Sequence, residues 1–191
     1  MEFDNAFEVP LPPAEAWAVL MDVRRIAPCM PGAELTEVVD DRTFKGKVGV
    51  RLGPVALTFA GTAQFTALDP AAQKATIKAS GTDAKGRGGA QALVGFRIEP
   101  VSGGSKVLVR TNLSLSGAVA QYGRGVGMIQ DVANQLVKQF AETLKAEIAK
   151  SSAPTAAVSA KPPVPVKPIS GFSLLLRSLW SWLRRSVLGQ T

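Results

Sequence analysis

Residues 126–150 read VGMIQDVANQLVKQFAETLKAEIAK, and this stretch constrains the fold more than any other. Apolar residues recur in it at intervals of three and four, as on one face of an α-helix. They are Ile129, Val132, Ala133, Leu136, Val137, Phe140, Leu144 and Ile148. Charged residues such as Lys138 fall away from this stripe. The pattern predicts one long helix that begins at about Tyr122 or Val126, ends at Lys150 and covers a whole sheet with its apolar face.

The segments before this helix alternate between apolar and polar residues, which is typical of β-strands. Residues 55–65 show it best, because small or apolar residues occupy the odd positions and Thr or Gln several of the even ones. Strands are predicted over residues 2–9, 33–39, 42–52, 54–68, 73–82, 89–99 and 105–116. Turn residues such as Gly53-Pro54 separate most of them. The short connections favour an antiparallel meander.

Two short helices are predicted between the first two strands. The first runs from Ala14 to Met21, with Pro13 near its first position, where proline is tolerated. A second helical turn covers Val23 to Ala27. Together these elements predict an α+β domain over residues 1–150, in which a curved antiparallel sheet wraps around the long C-terminal helix.

The composition excludes several kinds of chemistry. The 191 residues include no histidine, which rules out Ser-His-Asp and Cys-His catalysis and histidine metal sites. A single cysteine, Cys29, allows no intrachain disulfide and no thiolate metal cluster, and a buried structural thiol is expected there. The acidic residues show no spacing typical of paired catalytic carboxylates. We therefore expect neither a catalytic site nor a metal site.

The net charge of +7 is concentrated at the C-terminus. Five of the 22 Lys and Arg residues, and none of the 15 Asp and Glu residues, lie within residues 151–191. Residues 1–150 therefore carry +2 and the tail carries +5. A nucleic-acid-binding domain usually has a basic face of its own, so a cationic tail favours an anionic membrane surface instead. The acidic N-terminus does not resemble a signal peptide, and we expect the domain to stay in the cytoplasm.

The tail divides into a linker and an amphipathic helix. Residues 151–168 contain five prolines and predict a flexible, semi-extended linker. Residues 169–191 predict a helix that lies in the plane of a membrane surface. The residues expected to contact the membrane are Phe172, Leu175, Leu176, Arg177, Leu179, Trp180, Trp182, Leu183, Arg184 and Arg185. A spanning anchor is disfavoured because Arg177 interrupts the apolar run, and docking on a partner protein is the other alternative.

Several motifs, in order, resemble one family. They are PCMPGAE at residues 28–34, FKGKVGVRLGPV at residues 44–55 followed by FAG at residues 59–61, GRGGA at residues 86–90, and GRG at residues 123–125 before a helix that contains Asp131, Leu136 and Phe140. Each motif alone is weak, but their order and spacing over residues 1–150 resemble the CoxG family of carbon monoxide dehydrogenase subunits. That family belongs to the helix-grip (START-like, SRPBCC) superfamily.

The resemblance implies an accessory protein with a deep apolar cavity. It implies a peripheral location on the cytoplasmic face of the inner membrane, where the protein would link a molybdenum hydroxylase such as carbon monoxide dehydrogenase to membrane lipid. It also implies a bound quinone and no covalent cofactor. The alternatives are a purely structural recruiter of the dehydrogenase, or a cyclase- or hydrolase-like enzyme of the same superfamily.

A curled sheet that grips one helix leaves a space that small residues such as Gly61, Ala63 and Ala133 would not fill. The residues predicted to line this hydrophobic cavity are Phe59, Phe65, Phe96, Asn112, Leu113, Tyr122, Ile129, Val137 and Phe140. Asn112 and Tyr122 are expected to donate hydrogen bonds to a quinone carbonyl. The apolar members of the set could instead pack a solid core, so the cavity depends on the fold.

Overall fold

Seven strands and three helices make up the part of the chain that the computed structural model describes, residues 1–124 and 126–152. The strands are β1 (Glu2–Val9), β2 (Ala33–Val38), β3 (Thr43–Leu52), β4 (Val55–Asp69), β5 (Lys74–Asp83), β6 (Gly88–Val101) and β7 (Gly104–Gly117). The helices are α1 (Pro13–Met21), α2 (Val23–Ile26) and α3 (Val126–Ser152), and 3₁₀ turns span Ala27–Cys29 and Ala118–Arg124. Met1–Ser152 is one compact unit. The predicted helix at 169–191, and the predicted linker beyond Ser152, lie outside the described residues.

The strands form one antiparallel sheet in the order β1-β7-β6-β5-β4-β3-β2. Strands β2 to β7 are a meander in which each strand pairs with the next in sequence, and β1 joins the far edge beside β7. Two-residue turns at Gly53-Pro54 and Ser102-Gly103 connect β3 to β4 and β6 to β7. The predicted meander, with a long helix after it, is therefore confirmed. Helix α3 runs to Ser152, past the predicted end at Lys150.

A β-bulge in the 15-residue strand β4 bends the sheet. The pairing of β4 with β5 shifts between Phe65 and Ala67, so that Thr66 and Ala67 are both exposed. Leu68 then points inward again although its position is even. Because a bulge adds local twist and bend, this extra residue helps the long strand to curve around the helix. A second register shift lies between Leu35 and Glu37 in edge strand β2.

The turn between β5 and β6 is held by a buried carboxylate. Asp83 is 3% exposed and accepts hydrogen bonds from Nε of Arg87 at 2.8 Å and from a terminal guanidinium nitrogen of Arg87 at 2.9 Å. It also accepts from the backbone N–H groups of Thr58 at 3.3 Å and Lys85 at 3.1 Å. The Arg87 guanidinium, together with these N–H groups, holds the pKa of Asp83 far below its usual range. The cluster ties the turn to strand β4.

Glycine is required where this turn enters β6. Gly88 has φ +144°, and a Cβ there would come within 2.0 Å of the Ser116 carbonyl oxygen. Residues with a side chain rarely adopt such a backbone conformation. Gly88 of the motif at residues 86–90 therefore serves close strand packing between β6 and β7.

Helix α3 packs tightly along its C-terminal half. Phe140, Leu144 and Ile148 are buried in one cluster with residues of α1, β1, β6 and β7. The Phe140 ring meets the Phe7 ring edge-on, with centroids 5.5 Å apart. Leu144, at 1% exposure, is among the most deeply buried side chains. This end of the helix supplies its contacts with the largest apolar cluster, and nearer its start Asn134 accepts a hydrogen bond from the Asn5 amide of β1 and Ile129 is buried.

Two further apolar clusters are separate from the first. One contains Leu52, Leu57, Phe59 and Val119, and the other contains Phe44, Phe65 and Ala75. Trp17 of α1 lies at the border of two clusters, with its ring 5.9 Å from that of Phe96. Domains usually have one contiguous core, so the division into three clusters indicates that a space lies between them. Among the described residues, no helix is long and apolar enough to cross a bilayer.

We predict that Asp83→Asn lowers the thermal unfolding midpoint of the full-length chain, because the variant keeps the shape but loses the charge that Arg87 binds. Since the folded-state pKa of Asp83 is depressed, its stabilisation is present above the unfolded value of about 3.9 and is lost as the pH falls below it. The difference in unfolding midpoint between the wild type and the variant should therefore be largest at pH 7 and should shrink below about pH 4. The exposed Asp41→Asn is the matched control. Equal midpoints for the two variants at pH 7 would contradict the role of Asp83.

Candidate functional site: an apolar cavity beneath the long helix

A cavity of about 640 Å³ lies between the concave face of the sheet and helix α3. Members of all three apolar clusters line it, among them Phe140, Phe59 and Phe65. Its wall is almost wholly apolar, and its volume falls in the range of about 300–1,000 Å³ that is usual for small-molecule sites. The predicted cavity is therefore present in the fold.

Small residues on three adjacent strands form the floor of the cavity. In one row across the sheet, Gly61 of β4 pairs with Gly81 of β5, which pairs with Ala90 of β6. In the next row, Ala63 pairs with Ala79, which pairs with Ala92. All six residues line the cavity. Because none carries more than a methyl group, the side chains of the floor do not fill the space beneath the helix.

Gly61 could not be replaced by a larger residue without moving the sheet. A Cβ at this position would lie 1.9 Å from the Ser80 carbonyl oxygen and 2.5 Å from the Cα of Gly81. The backbones of β4 and β5 therefore approach more closely here than a side chain permits. Glycine at this position both sharpens the curve of the sheet and deepens the cavity.

The roof of the cavity is the middle of helix α3. Val132, Ala133, Leu136 and Val137 continue the same apolar stripe as Leu144, yet each remains only partly buried. All four line the cavity together with the glycines and alanines of the floor, and Val132 also packs against the cluster that contains Leu57. The stripe therefore has two roles, since its C-terminal part packs into the core and its middle part faces an unfilled space.

Seven of the predicted ligand-binding residues line the cavity. They are Phe59, Phe65, Phe96, Leu113, Ile129, Val137 and Phe140. Phe59, Phe65, Ile129 and Phe140 are also buried in the core, so they support the cavity as well as face it. Their ligand-binding role stays a prediction. Ala79 and Gly81 were missed by the sequence reasoning, although the same alternation of β5 places both on the inner face.

The prediction that Asn112 lies in the cavity is wrong. Asn112 is exposed on the outer face of β7, where its amide donates a hydrogen bond to the Glu2 carboxylate at 2.8 Å. Its neighbours Thr111 and Leu113 point inward and line the cavity. The period of two along the strand explains the error, because a residue between two inward positions must point outward. The side chain of the other predicted donor, Tyr122, lies outside the described residues.

Ionisable side chains are scarce around the cavity. Of the described lining residues only Glu34 and Lys47 can carry a charge, and they pair across strands β2 and β3 at exposed positions. Cys29 is buried beside the cavity region and does not line it. Burial raises the pKa of its thiol, and the nearby Glu147 carboxylate adds to this, so the thiol stays protonated and unreactive.

A protein-family model for CoxG, a carbon monoxide dehydrogenase subunit, matches residues 6–149. The match covers the compact unit from its first strand almost to the end of α3. It also covers the four motif regions at residues 28–34, 44–61, 86–90 and 123–125. A search of curated proteins finds no match.

Solved structures share the fold at low sequence identity. A conserved protein of Geobacillus kaustophilus matches with a TM-score of 0.69 and 21% identity, over 79% of this chain and 97% of that one. A Thermus thermophilus protein matches with a TM-score of 0.59, 14% identity and coverages of 80% and 100%. The Zhui aromatase/cyclase of a Streptomyces species matches with a TM-score of 0.58, 15% identity and coverages of 83% and 99%. These likenesses establish the helix-grip (START-like) fold.

We predict that two identical substitutions in α3 differ in their effect on stability. Leu144→Ala should lower the free energy of unfolding by about 2–5 kcal/mol, because it empties a fully packed site. Leu136→Ala should cost less than half as much, because Leu136 faces the cavity and has fewer contacts to lose. Denaturant unfolding of the ligand-free, full-length variants measures both. Equal losses would mean that the middle of the helix is packed as tightly as its end, and that no cavity exists.

Proposed function

Since the chain belongs to the CoxG family of carbon monoxide dehydrogenase subunits, we propose that it is a non-catalytic accessory protein that binds a quinone. In this proposal the domain carries the quinone in its cavity, and the tail links a molybdenum hydroxylase such as carbon monoxide dehydrogenase to the cytoplasmic membrane. The observation that carries the ligand-binding part is the apolar cavity of about 640 Å³ beneath α3.

The lining supports a large, flat, hydrophobic ligand. A cavity whose wall is apolar gains free energy when apolar surface replaces water, at about 25 cal/mol for each Å² removed from water. The glycine and alanine floor leaves a broad surface with no side chain that projects into the space. Aromatic rings at Phe59, Phe65 and Phe96 border it and suit a ring system. A quinone head group with part of an isoprenoid tail has these properties.

The same lining favours binding over catalysis. An acid–base mechanism needs titratable groups aimed at the substrate, and the two ionisable lining residues of the described chain, Glu34 and Lys47, lie at exposed positions near the sheet edge. The structural neighbour from Streptomyces is an aromatase/cyclase by name, but at 15% identity it supports only the shared fold. An enzyme of the cyclase type is therefore the weaker alternative.

The membrane link is supported by the sequence of the tail. Residues 151–191 carry +5 with no acidic residue, and residues 172–187 alternate between an apolar side rich in Leu and Trp and a side with Ser and Arg. In-plane binding lets the arginines stay at the headgroups, while the leucines and tryptophans enter the acyl boundary. A recruiter without a ligand would need the same tail but not the cavity, so the two parts of the proposal can be tested separately.

We predict that Ala92→Phe abolishes quinone binding while the full-length chain remains folded. Ala92 points inward from the interior strand β6, between Ala79 and Leu113, so a phenyl ring there enters the cavity. Gln91→Phe is the matched control, because it places the same ring one residue away on the outer face. Isothermal titration with a short-chain quinone should show at least a tenfold weaker affinity for Ala92→Phe only.

Lipid extraction and mass spectrometry of the purified full-length chain complete this test. A wild-type chain that binds no quinone, or an Ala92→Phe variant that binds it normally, would contradict the ligand part of the proposal. Circular dichroism checks that both variants are folded.

We predict that deletion of residues 169–191 releases the chain from membranes. The truncated chain should no longer float with vesicles that contain anionic lipid, and the dehydrogenase should move to the soluble fraction of cell lysates. Replacement of Trp180 and Trp182 by Ala in the full-length chain should weaken flotation in part, because the arginines remain. If the enzyme stays on the membrane after the deletion, recruitment through this tail is wrong.

A further inference from the structure

One polar side chain points into the cavity from an otherwise apolar strand face. The inward positions of β7 are Val107, Val109, Thr111, Leu113 and Leu115, and all of them line the cavity. Thr111 pairs with Phe3 on β1 and with Val94 on β6, which also line it. The Thr111 hydroxyl is therefore surrounded by apolar groups on both neighbouring strands.

The other uncharged polar residues of the lining differ from Thr111. Thr62 and Gln64 occupy the outward positions of β4, between the inward residues Gly61, Ala63 and Phe65, and Ser80 is exposed on β5. The Gln64 amide donates to the Thr43 hydroxyl on the outer face. The side chains of these residues therefore lie on the outer face of the sheet and not in the cavity. Of the described lining side chains, only that of Thr111 brings a hydrogen-bonding group to an inward position.

The Thr111 hydroxyl makes no hydrogen bond to another residue of 1–124 and 126–152, and because no buried side-chain oxygen of these residues lacks a partner, it is accessible from the cavity. A valine would fill the same volume in the strand without bringing a hydroxyl to an apolar wall, where an unpaired polar group is unfavourable. The residue therefore adds nothing to the packing that valine would not supply. A ligand that fills the cavity would complete its hydrogen bonding.

We propose that Thr111 is the hydrogen-bonding anchor of the cavity and that it selects apolar ring ligands that carry a carbonyl group. The hydroxyl would donate to the ligand carbonyl oxygen. The row of Ala63, Ala79, Ala92 and Leu113 lies directly beside Thr111 on the sheet, so the ring would rest on this small floor with its carbonyl end toward β7. This inference rests on the proposed ligand-binding function, and it adds the atom that orients the ligand.

The test compares two ligands of the same carbon skeleton, menadione and 2-methylnaphthalene, which differ in the two carbonyl groups. Both are titrated into the full-length wild type and Thr111→Val. The substitution should weaken menadione binding about 3- to 10-fold, the value of one hydrogen bond, and leave 2-methylnaphthalene binding unchanged. Thr111→Ser should restore part of the menadione affinity, and the exposed Thr82→Val on β5 is the matched control. Ala92→Phe measures any binding outside the cavity.

The stability of the ligand-free protein separates an anchor from a structural residue. Thr111→Val should unfold at the same temperature as the wild type or higher, because it removes an unpaired hydroxyl. Three results for Thr111→Val would overturn the role of Thr111. They are an equal loss of affinity for both ligands, no loss of affinity for either, and a marked drop in the unfolding temperature. If the wild type binds neither ligand within its cavity, the proposed function itself fails, and the anchor fails with it.

Discussion

The packing of Phe140, Leu144 and Ile148 against α1 and strands β1, β6 and β7 holds the domain together. This attachment fixes α3 at its C-terminal end and sets the height at which the rest of the helix passes over the sheet. Farther toward its N-terminus the helix passes over a floor of glycine and alanine on β4, β5 and β6. These side chains are too short to touch the helix. The cavity follows from these two facts. A helix that packs on large residues at its C-terminal end, is buried again at Ile129 near its N-terminal end, and passes over small residues in between cannot collapse onto the sheet without breaking the contacts that stabilise it.

Much of the fold was predictable because its periodicities are strong. The period of two along β4 and the period of 3.6 along α3 identified the sheet and the helix, and the short turns implied the antiparallel order. The β-bulge at Thr66 was not predictable, because one extra residue disturbs the alternation only locally and the alanine after it is compatible with either face. The Asp83–Arg87 cluster was also hidden from the sequence. Its carboxylate is buried by the register of β4 against β5, which only the structure reveals.

The sequence predicts the apolar character of the candidate site, and it predicts the individual lining residues less well. The apolar lining residues of β4, β6 and α3 are predictable from the sequence. Periodicity identifies the inner face of each element, and a residue on that face lines the cavity whatever its size. Which part of the α3 stripe packs and which part faces the space depends on the residues opposite, and the sequence gives no cross-strand register. Asn112 and Thr111 are different, since the alternation of Val107, Val109, Leu113 and Leu115 alone places Thr111 inward and Asn112 outward. There the signal was present, and the polarity of asparagine obscured it.

We expect an apolar ligand to bind beneath the middle of α3. The most direct measurement is a methyl NMR titration of the full-length chain, labelled at Ile, Leu and Val, with menadione. We expect shifts concentrated at Leu113, Val132 and Leu136, which line the cavity, with Ile148 and the outward-facing Leu93 unchanged. Shifts confined to Leu93 or to the leucines of residues 169–191, or no shifts at all, would contradict it.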